Sequence, residues 1–406
     1  MRFIMLTVLI DMIAIGVMVP VLPSLVGSFT TSATEQTFWY GVVTAAFGIS
    51  NFFGSPILGA LSDRYGRRPV LLTGFCGLAL NFFATAMATS LWMVVVVRLV
   101  GGAMMANMAV ANAYVADITP PEARAKRFGL LGAMFGLGFI LGPVVGGLLG
   151  HFSLRLPFFV AGGLALVNLT YGYWVLPESL PVERRRAFDW NQANPVTSLR
   201  SLTHLKDTAP LVAVIAFSSL AQFVQFTSWV LYTTFKFGWG PVENGWSLAV
   251  VGSVAVIVQG ALLGPLLRRL SAQRLAILGL TSSALAYVAY GALPEGWMMY
   301  AIIVTNCLVF TVSASIQSIV SSAADAGSQG ETMGAISAVS SLAAVIAPML
   351  GAPLLGLVSQ LPRGDWRIGA PFYLCAALQF ASLVIAFIHF RGLRRNRLAT
   401  QARLSA

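Results

Sequence analysis

Long apolar runs, each interrupted by a short cluster of turn-forming or charged residues, follow one another along nearly the whole chain. Crossing about 30 Å of hydrocarbon at about 1.5 Å per residue takes about 20 residues of apolar helix. Twelve stretches reach that length, at roughly 3–26, 36–62, 69–88, 91–117, 127–150, 156–176, 209–235, 243–269, 273–293, 297–320, 332–359 and 369–391. The pattern predicts an all-α membrane protein with twelve transmembrane helices, numbered below as spans 1 to 12.

A faint internal repeat groups these spans. At a single offset of 205 residues, Gly59 matches Gly264, Gly74 matches Gly279, Trp92 matches Trp297, Gly129 matches Gly334, Pro143 matches Pro348 and Gly146 matches Gly351. Glycine and proline have backbone roles that other residues fill poorly. The repeat therefore predicts two pseudo-symmetric six-helix halves, residues 1–176 and 209–391, joined by a polar linker at 177–208 and followed by a basic tail at 392–406. Two such halves around a midplane cavity are the plan of a rocking transporter.

Composition and charge narrow the reading further. With 57% hydrophobic and 10% charged residues and a mean hydropathy of +0.80, the chain has too little polar surface for a soluble protein, so the lipid bilayer is its expected partner. The formal charge of +11 is distributed by topology: 20 of the 25 Lys and Arg residues fall on the side that holds both termini. That bias places both termini in the cytoplasm, accounts for the charge without a nucleic-acid partner, and suits a multi-pass protein of a bacterial inner (plasma) membrane. Cys76, Cys307 and Cys375 sit in separate apolar runs, which argues against disulfides and against a metal site. His151, His204 and His389 have no nucleophile or metal constellation near them in sequence, so no enzymatic activity and no cofactor are expected.

The densest charge lies between spans 2 and 3, in Gly59-Ala-Leu-Ser-Asp-Arg-Tyr-Gly-Arg-Arg-Pro69. Asp63, Arg64, Arg67 and Arg68 cannot sit in hydrocarbon, and Gly59 and Gly66 allow close approach and a sharp turn, so a tight hairpin at a membrane face is predicted. This stretch resembles the signature of the major facilitator superfamily. The resemblance implies conformational gating by the hairpin, with Asp63 approaching the N-terminal end of span 11 and Arg127 in one state of the cycle.

Asp11 in span 1 is the one carboxylate placed well inside a membrane span. An ionised acid there costs several kcal/mol unless paired or hydrated, so an exchangeable proton is expected and a proton-coupling role with it, the alternative being a buried structural acid. Arg98 in span 4 offers the counter-charge, with Asn107, Asn112 and Asp117 beyond it. In span 5, Gly129, Gly132, Gly136, Gly138, Gly142, Pro143, Gly146, Gly147 and Gly150 make a groove of small residues on which another helix can pack and slide. Gln222, Gln225, Phe226 and Trp229 in span 7, with Asn306 and Gln317 in span 10, are read either as a substrate-cavity wall or as lipid-facing and interhelical residues.

Taken with the hairpin, Gly138-x-x-x-Gly142-Pro143-x-x-Gly146-Gly147 resembles the glycine signature of exporters in that superfamily, and Arg98 resembles an arginine of its drug:proton antiporter branch. Val19-Pro-Val-Leu-Pro23, Tyr114-Val-Ala-Asp-Ile118 and Pro157-Phe-Phe159 extend the likeness to the tetracycline-exporter family. The chain departs from that family at Asn81, at Ala255 and at Thr281, Ser282 and Ser283, where ionisable groups are expected. The resemblance implies a monomeric antiporter that exports an amphipathic small molecule, such as an antibiotic or secreted metabolite, by alternating access against a proton gradient. An importer or facilitator of a polar metabolite on the same fold is the alternative.

Overall fold

The computed structural model of the protein describes residues 2–105, 107–190, 193–195, 209–323 and 329–404. Within them, twelve helical stretches are long and apolar enough to cross a membrane: Phe3–Gly27, Ala33–Tyr65, Arg67–Ala86, Leu91–Asp117, Arg127–Phe152, Leu156–Val175, Ala209–Phe237, Pro241–Arg269, Ala272–Ala292, Trp297–Val320, Ile336–Val358 and Trp366–Gly392. Helix starts carry their own chemistry. The side chains of Ser32, Ser90 and Ser271 accept hydrogen bonds from the backbone of Glu35, Met93 and Arg274, and the Glu243 carboxylate accepts one from the Gly240 N–H. The last helix runs without a break from Ala370 to Leu404, so the expected tail continues it as far as that residue. Of the expected linker, residues 191–192 and 196–208 lie outside the described residues.

Among the described residues, four spans depart from one continuous α-helix part-way across the membrane, the first being span 1, which is Arg2–Met18 followed by Leu22–Gly27. Span 4 is Leu91–Met104 followed by Asn107–Asp117, and span 10 is Trp297–Thr305 followed by Val309–Ala323. Span 8 contains a widened π-turn over Val258–Leu262. The break in span 4 is held from outside, because the Asn51 amide donates to the carbonyls of Gly102 at 3.3 Å and Met105 at 3.1 Å.

The two halves touch along two seams, span 2 against span 11 and span 5 against span 8. Both close toward the face away from the charged hairpin. There Gly41 meets Ala352, Gly48 meets the backbone of Ala344, the Thr34 and Ser359 hydroxyls lie 3.1 Å apart, and Gly147 meets Pro241. The same helix faces part toward the hairpin: a Cβ at Gly59, Gly129, Gly132, Gly260 or Gly264 would find none of the described residues within 4 Å. The apolar core divides in the same way. One cluster runs through both halves, from Leu22, Tyr40 and Phe82 to Trp229, Tyr232 and Phe372. Nearer the hairpin it gives way to one cluster of the first half, around Ile4, Leu71 and Leu131, and one of the second half, around Leu211, Leu280 and Phe390. Among the described residues, the molecule is sealed at the far face and open at the hairpin face.

Candidate functional site

Between the halves lies a cavity of about 400 Å³. Its wall takes Ile15, Met18 and Leu22 from span 1, Tyr40, Thr44, Phe47 and Asn51 from span 2, Arg98 from span 4, Phe139 from span 5, Phe223, Phe226 and Thr227 from span 7, and Ser340 and Ser341 from span 11. It is apolar and aromatic, with a few hydroxyls, an amide and one cation, and no carboxylate among its described lining residues. That combination suits a small molecule with an apolar body and a few polar groups.

Arg98 owes its position to close packing around span 4. Gly54 lies against the backbone of Ala103, Gly102 against Phe47 and Ser50, and the Asn81 side chain fills the space at Gly101 while its amide donates to the Val97 carbonyl at 2.8 Å. Asn81 therefore braces the helix turn beside Arg98. The Arg98 residue is 3% exposed; its Nη2 lies against the Met18 thioether, and its buried Nε has no hydrogen-bond partner among the described residues.

Asp11, also 3% exposed, lines a different and much smaller space, with Thr7, Val8, Leu71, Phe75 and Ala111 around it. The structure does not bring Asp11 and Arg98 together. The guanidinium meets span 1 at Met18, seven residues beyond Asp11, which is about 10 Å along a helix. The break in span 4 separates the segment carrying Arg98 from the one carrying Ala111. Asp11 is nevertheless in line with the cavity wall, since positions 11, 15 and 18 of span 1 share one helix face.

At the hairpin, Gly66 takes φ +105°, a conformation that side chains disfavour, and the Glu178 carboxylate occupies the place a Cβ would need. Glu178 accepts from the backbone N–H groups of Arg67 at 2.8 Å and Arg68 at 3.2 Å, capping span 3. The Arg67 guanidinium, on a residue only 8% exposed, binds Asp63 at 2.6 Å, the Ser62 hydroxyl at 2.6 Å and Asp117 at 3.0 Å, tying span 2 to the end of span 4. Arg68 donates to the Tyr173 carbonyl at 2.6 Å and lies over the Tyr173 ring, whereas Arg64 lies over the ring of its neighbour Tyr65. The linker docks here as well: the Arg186 N–H donates to the Asp63 carbonyl and the Ser179 hydroxyl to Asp117. In this open arrangement the Asp63 side chain pairs with Arg67 alone, and Arg127 makes no ion pair among the described residues.

The span 5 glycines serve two neighbours rather than a single sliding partner. Gly138, Gly142 and Gly146 press on the span 1 backbone at Met12, Gly16 and Val17, while Pro143 stands against Gly16 and, through its carbonyl, against Gly245 of span 8. Gly136, Gly147 and Gly150 face span 8 across the seam, at Val256 and Pro241.

The polar candidates of the second half separate. Phe226 lines the central cavity, whereas Gln222 and Gln317 line a smaller one of about 70 Å³ with Ser218, Tyr287 and Gln379. Gln225 accepts from the Tyr287 hydroxyl at 3.0 Å, and Trp229 is buried among Tyr290 and Phe372 with its N–H on the Ser247 hydroxyl, so neither faces the central cavity. Asn306 sits at the break in span 10 and accepts from the Ser282 hydroxyl at 2.8 Å. Asn112 is half-buried and lines none of these three cavities, and the Asn107 side chain lies outside the described residues. Tyr40, Thr44, Phe47 and Asn51 are cavity residues that sequence reasoning missed, although their spacing of four, three and four residues marks a single helix face.

Comparison with known proteins agrees with this architecture. The chain is 36% identical over 373 residues to the class C tetracycline resistance protein of Escherichia coli, covering 91% of this chain and 93% of that protein. It is 32% identical to the class D tetracycline resistance protein of Salmonella ordonez, covering 90% and 92%. The solved structure of the D323A mutant of nucleoside transporter NupG superposes with a TM-score of 0.77 at 14% identity, over 96% of this chain and 98% of that one, which is a likeness of fold. Residues 4–348 match the family model of the Major Facilitator Superfamily, and the chain belongs to that family.

Proposed function

We propose that the protein is a proton-coupled exporter of an amphipathic small molecule, working by alternating access as a monomer in a bacterial inner membrane with both termini cytoplasmic. The observation that carries this reading is the central cavity, apolar and aromatic, sealed at the far face and open toward the basic hairpin. With the hairpin in the cytoplasm, cargo enters from inside. The relatives' role in tetracycline resistance supports outward transport. Tetracycline itself is not adopted as the cargo, because Asn81 and Ser282 stand where that family is expected to carry ionisable groups, and here they hold helix breaks and turns through neutral hydrogen bonds.

Asp11 is the proton site in this reading. When it loses or gains a proton, the electrostatic cost of burying it changes, and span 1 carries the resulting shift to the cavity wall two turns away. The experiment is cargo accumulation in inverted vesicles under an imposed pH gradient, with an uncoupler control, across a panel of amphipathic compounds. Asp11→Asn is expected to abolish uphill accumulation while leaving insertion unchanged, with exchange down a cargo gradient retained. Wild-type uphill transport by that variant would remove Asp11 from the coupling mechanism. Accumulation indifferent to the uncoupler in the wild type would replace antiport with facilitated diffusion.

A further inference from the structure

Three basic side chains are buried in the described structure, and two have their charge answered. Arg67 binds Asp63 and Asp117, and Lys236 donates to the Gly291 carbonyl at 2.5 Å. Arg98 is the exception. Its Nε is buried without a partner, its Nη2 has only a thioether beside it, and no carboxylate lies within 4 Å of it among the described residues. A guanidinium keeps its charge in proteins, and a thioether is a weak acceptor. A charge so placed calls for an anionic partner, and the central cavity that Arg98 lines has room for one.

Resting on the exporter reading, we propose that the cargo is an apolar organic monoanion whose carboxylate or sulfonate binds Arg98, with the Tyr40 hydroxyl as a second donor, while its ring system lies among Phe47, Phe139, Phe223 and Phe226. Tyr40 is close enough for an electrostatic interaction with the guanidinium and borders the same cavity. The planar fork of arginine matches an oxyanion group, and the pairing strengthens where water is excluded. A single cation specifies a single negative charge. Asp11 does not supply it, being about 10 Å further along span 1 and lining a separate space. The aromatic wall supplies stacking area for two or three fused rings within about 400 Å³. A cationic amphiphile of the same shape would meet an uncompensated like charge and no carboxylate.

The test uses two probes with the same ring and opposite charges, 1-naphthaleneacetate and 1-naphthalenemethylammonium. Binding to the purified full chain in nanodiscs is measured by titration calorimetry at pH 7. The anion is expected to bind about tenfold or more tightly than the cation, as one charge-assisted hydrogen bond provides. Arg98→Gln should erase that preference and Arg98→Lys retain part of it. Equal or tighter binding of the cation by the wild type overturns the proposal, and needs no variant to fold. A preference that survives in Arg98→Gln overturns it too. Vesicle transport of the same probes separates the two claims. Anion binding without uphill movement sinks the exporter reading and leaves the anion site standing, whereas uphill movement of the cation alone does the reverse.

Discussion

Replacing Gly147 by alanine should tip the molecule toward its other open state. Gly147 sits in the seam between spans 5 and 8 at the sealed face, where a new Cβ would lie 2.5 Å from the Pro241 carbonyl oxygen and 3.2 Å from the Val242 Cα. Ordinary contact begins at 3.4 Å, so the two backbones must part locally by about 0.9 Å, the difference between 3.4 and 2.5. Neither partner can rotate away, because both are main chain. Overpacking of this kind costs about 1–3 kcal/mol, and it is felt only while the far face is closed. A penalty confined to one of two states moves their ratio by its full size, about 5- to 150-fold.

Gly132 supplies the opposite perturbation on the same helix. A Cβ there has none of the described residues within 4 Å in the present arrangement, so Gly132→Ala costs little until the hairpin face closes and span 8 approaches. The assay is the rate at which an impermeant maleimide labels Ser341→Cys, an exposed cavity position, in a background with Cys76, Cys307 and Cys375 replaced. Gly147→Ala should lower labelling in inverted vesicles and raise it in intact cells, and Gly132→Ala should do the reverse. Labelling that changes in the same direction for both variants, or in neither, would refute the assignment of the two glycines to opposite ends of one rocking seam.

Two further outcomes follow from the hairpin. Gly66→Ala meets both a left-handed backbone, worth about 1–2 kcal/mol, and the Glu178 carboxylate, so it should lower the thermal midpoint of the purified protein; an unchanged midpoint would show that the linker cap is dispensable. Asp63→Asn loses one partly exposed ion pair with Arg67, worth at most about 1 kcal/mol, so stability should hardly change. On the gating reading, its turnover should fall while cargo binding persists and cavity labelling from the hairpin side rises, and labelling equal to wild type would leave the charge a topological feature.

Span count and the hairpin were readable in the sequence because both rest on local physics. Hydrocarbon thickness demands long apolar runs, and four charges beside two glycines demand a turn at the surface. Helix ends moved by a few residues, as with the second span, expected at 36–62 and found at Ala33–Tyr65. The broken helices were not readable. Nothing in Met105-Ala-Asn107 announces an interruption, and the break there is stabilised by Asn51 from a different span. The cavity was half readable for a related reason. Tyr40, Thr44, Phe47 and Asn51 repeat at helical spacing, but the same spacing describes a lipid-facing stripe until the opposing helices are placed. Trp229 illustrates the converse, since an aromatic at the right spacing was drawn into the core by Ser247, Tyr290 and Phe372.

The two halves divide the chemistry between them. The small space on span 1 holds Asp11, whereas the small cavity bordered by spans 7 and 10 offers Ser218, Gln222, Ser313 and Gln317, which are neutral at every pH of interest. The first hairpin carries the Arg67 network, while its counterpart after Gly264 has neither the acid nor the second glycine. What the second half contributes instead is rigidity near the far face: Trp229, Tyr232, Tyr290 and Phe372 pack edge to face or tilted around one another, and Lys236 is fixed on the Gly291 carbonyl with the Tyr232 ring beside it. A rocking machine needs one element that responds to charge and one that does not deform. Under the proposed mechanism the proton, the cargo's charge and the hairpin latch all act on the first half, and the second half is the surface against which it moves.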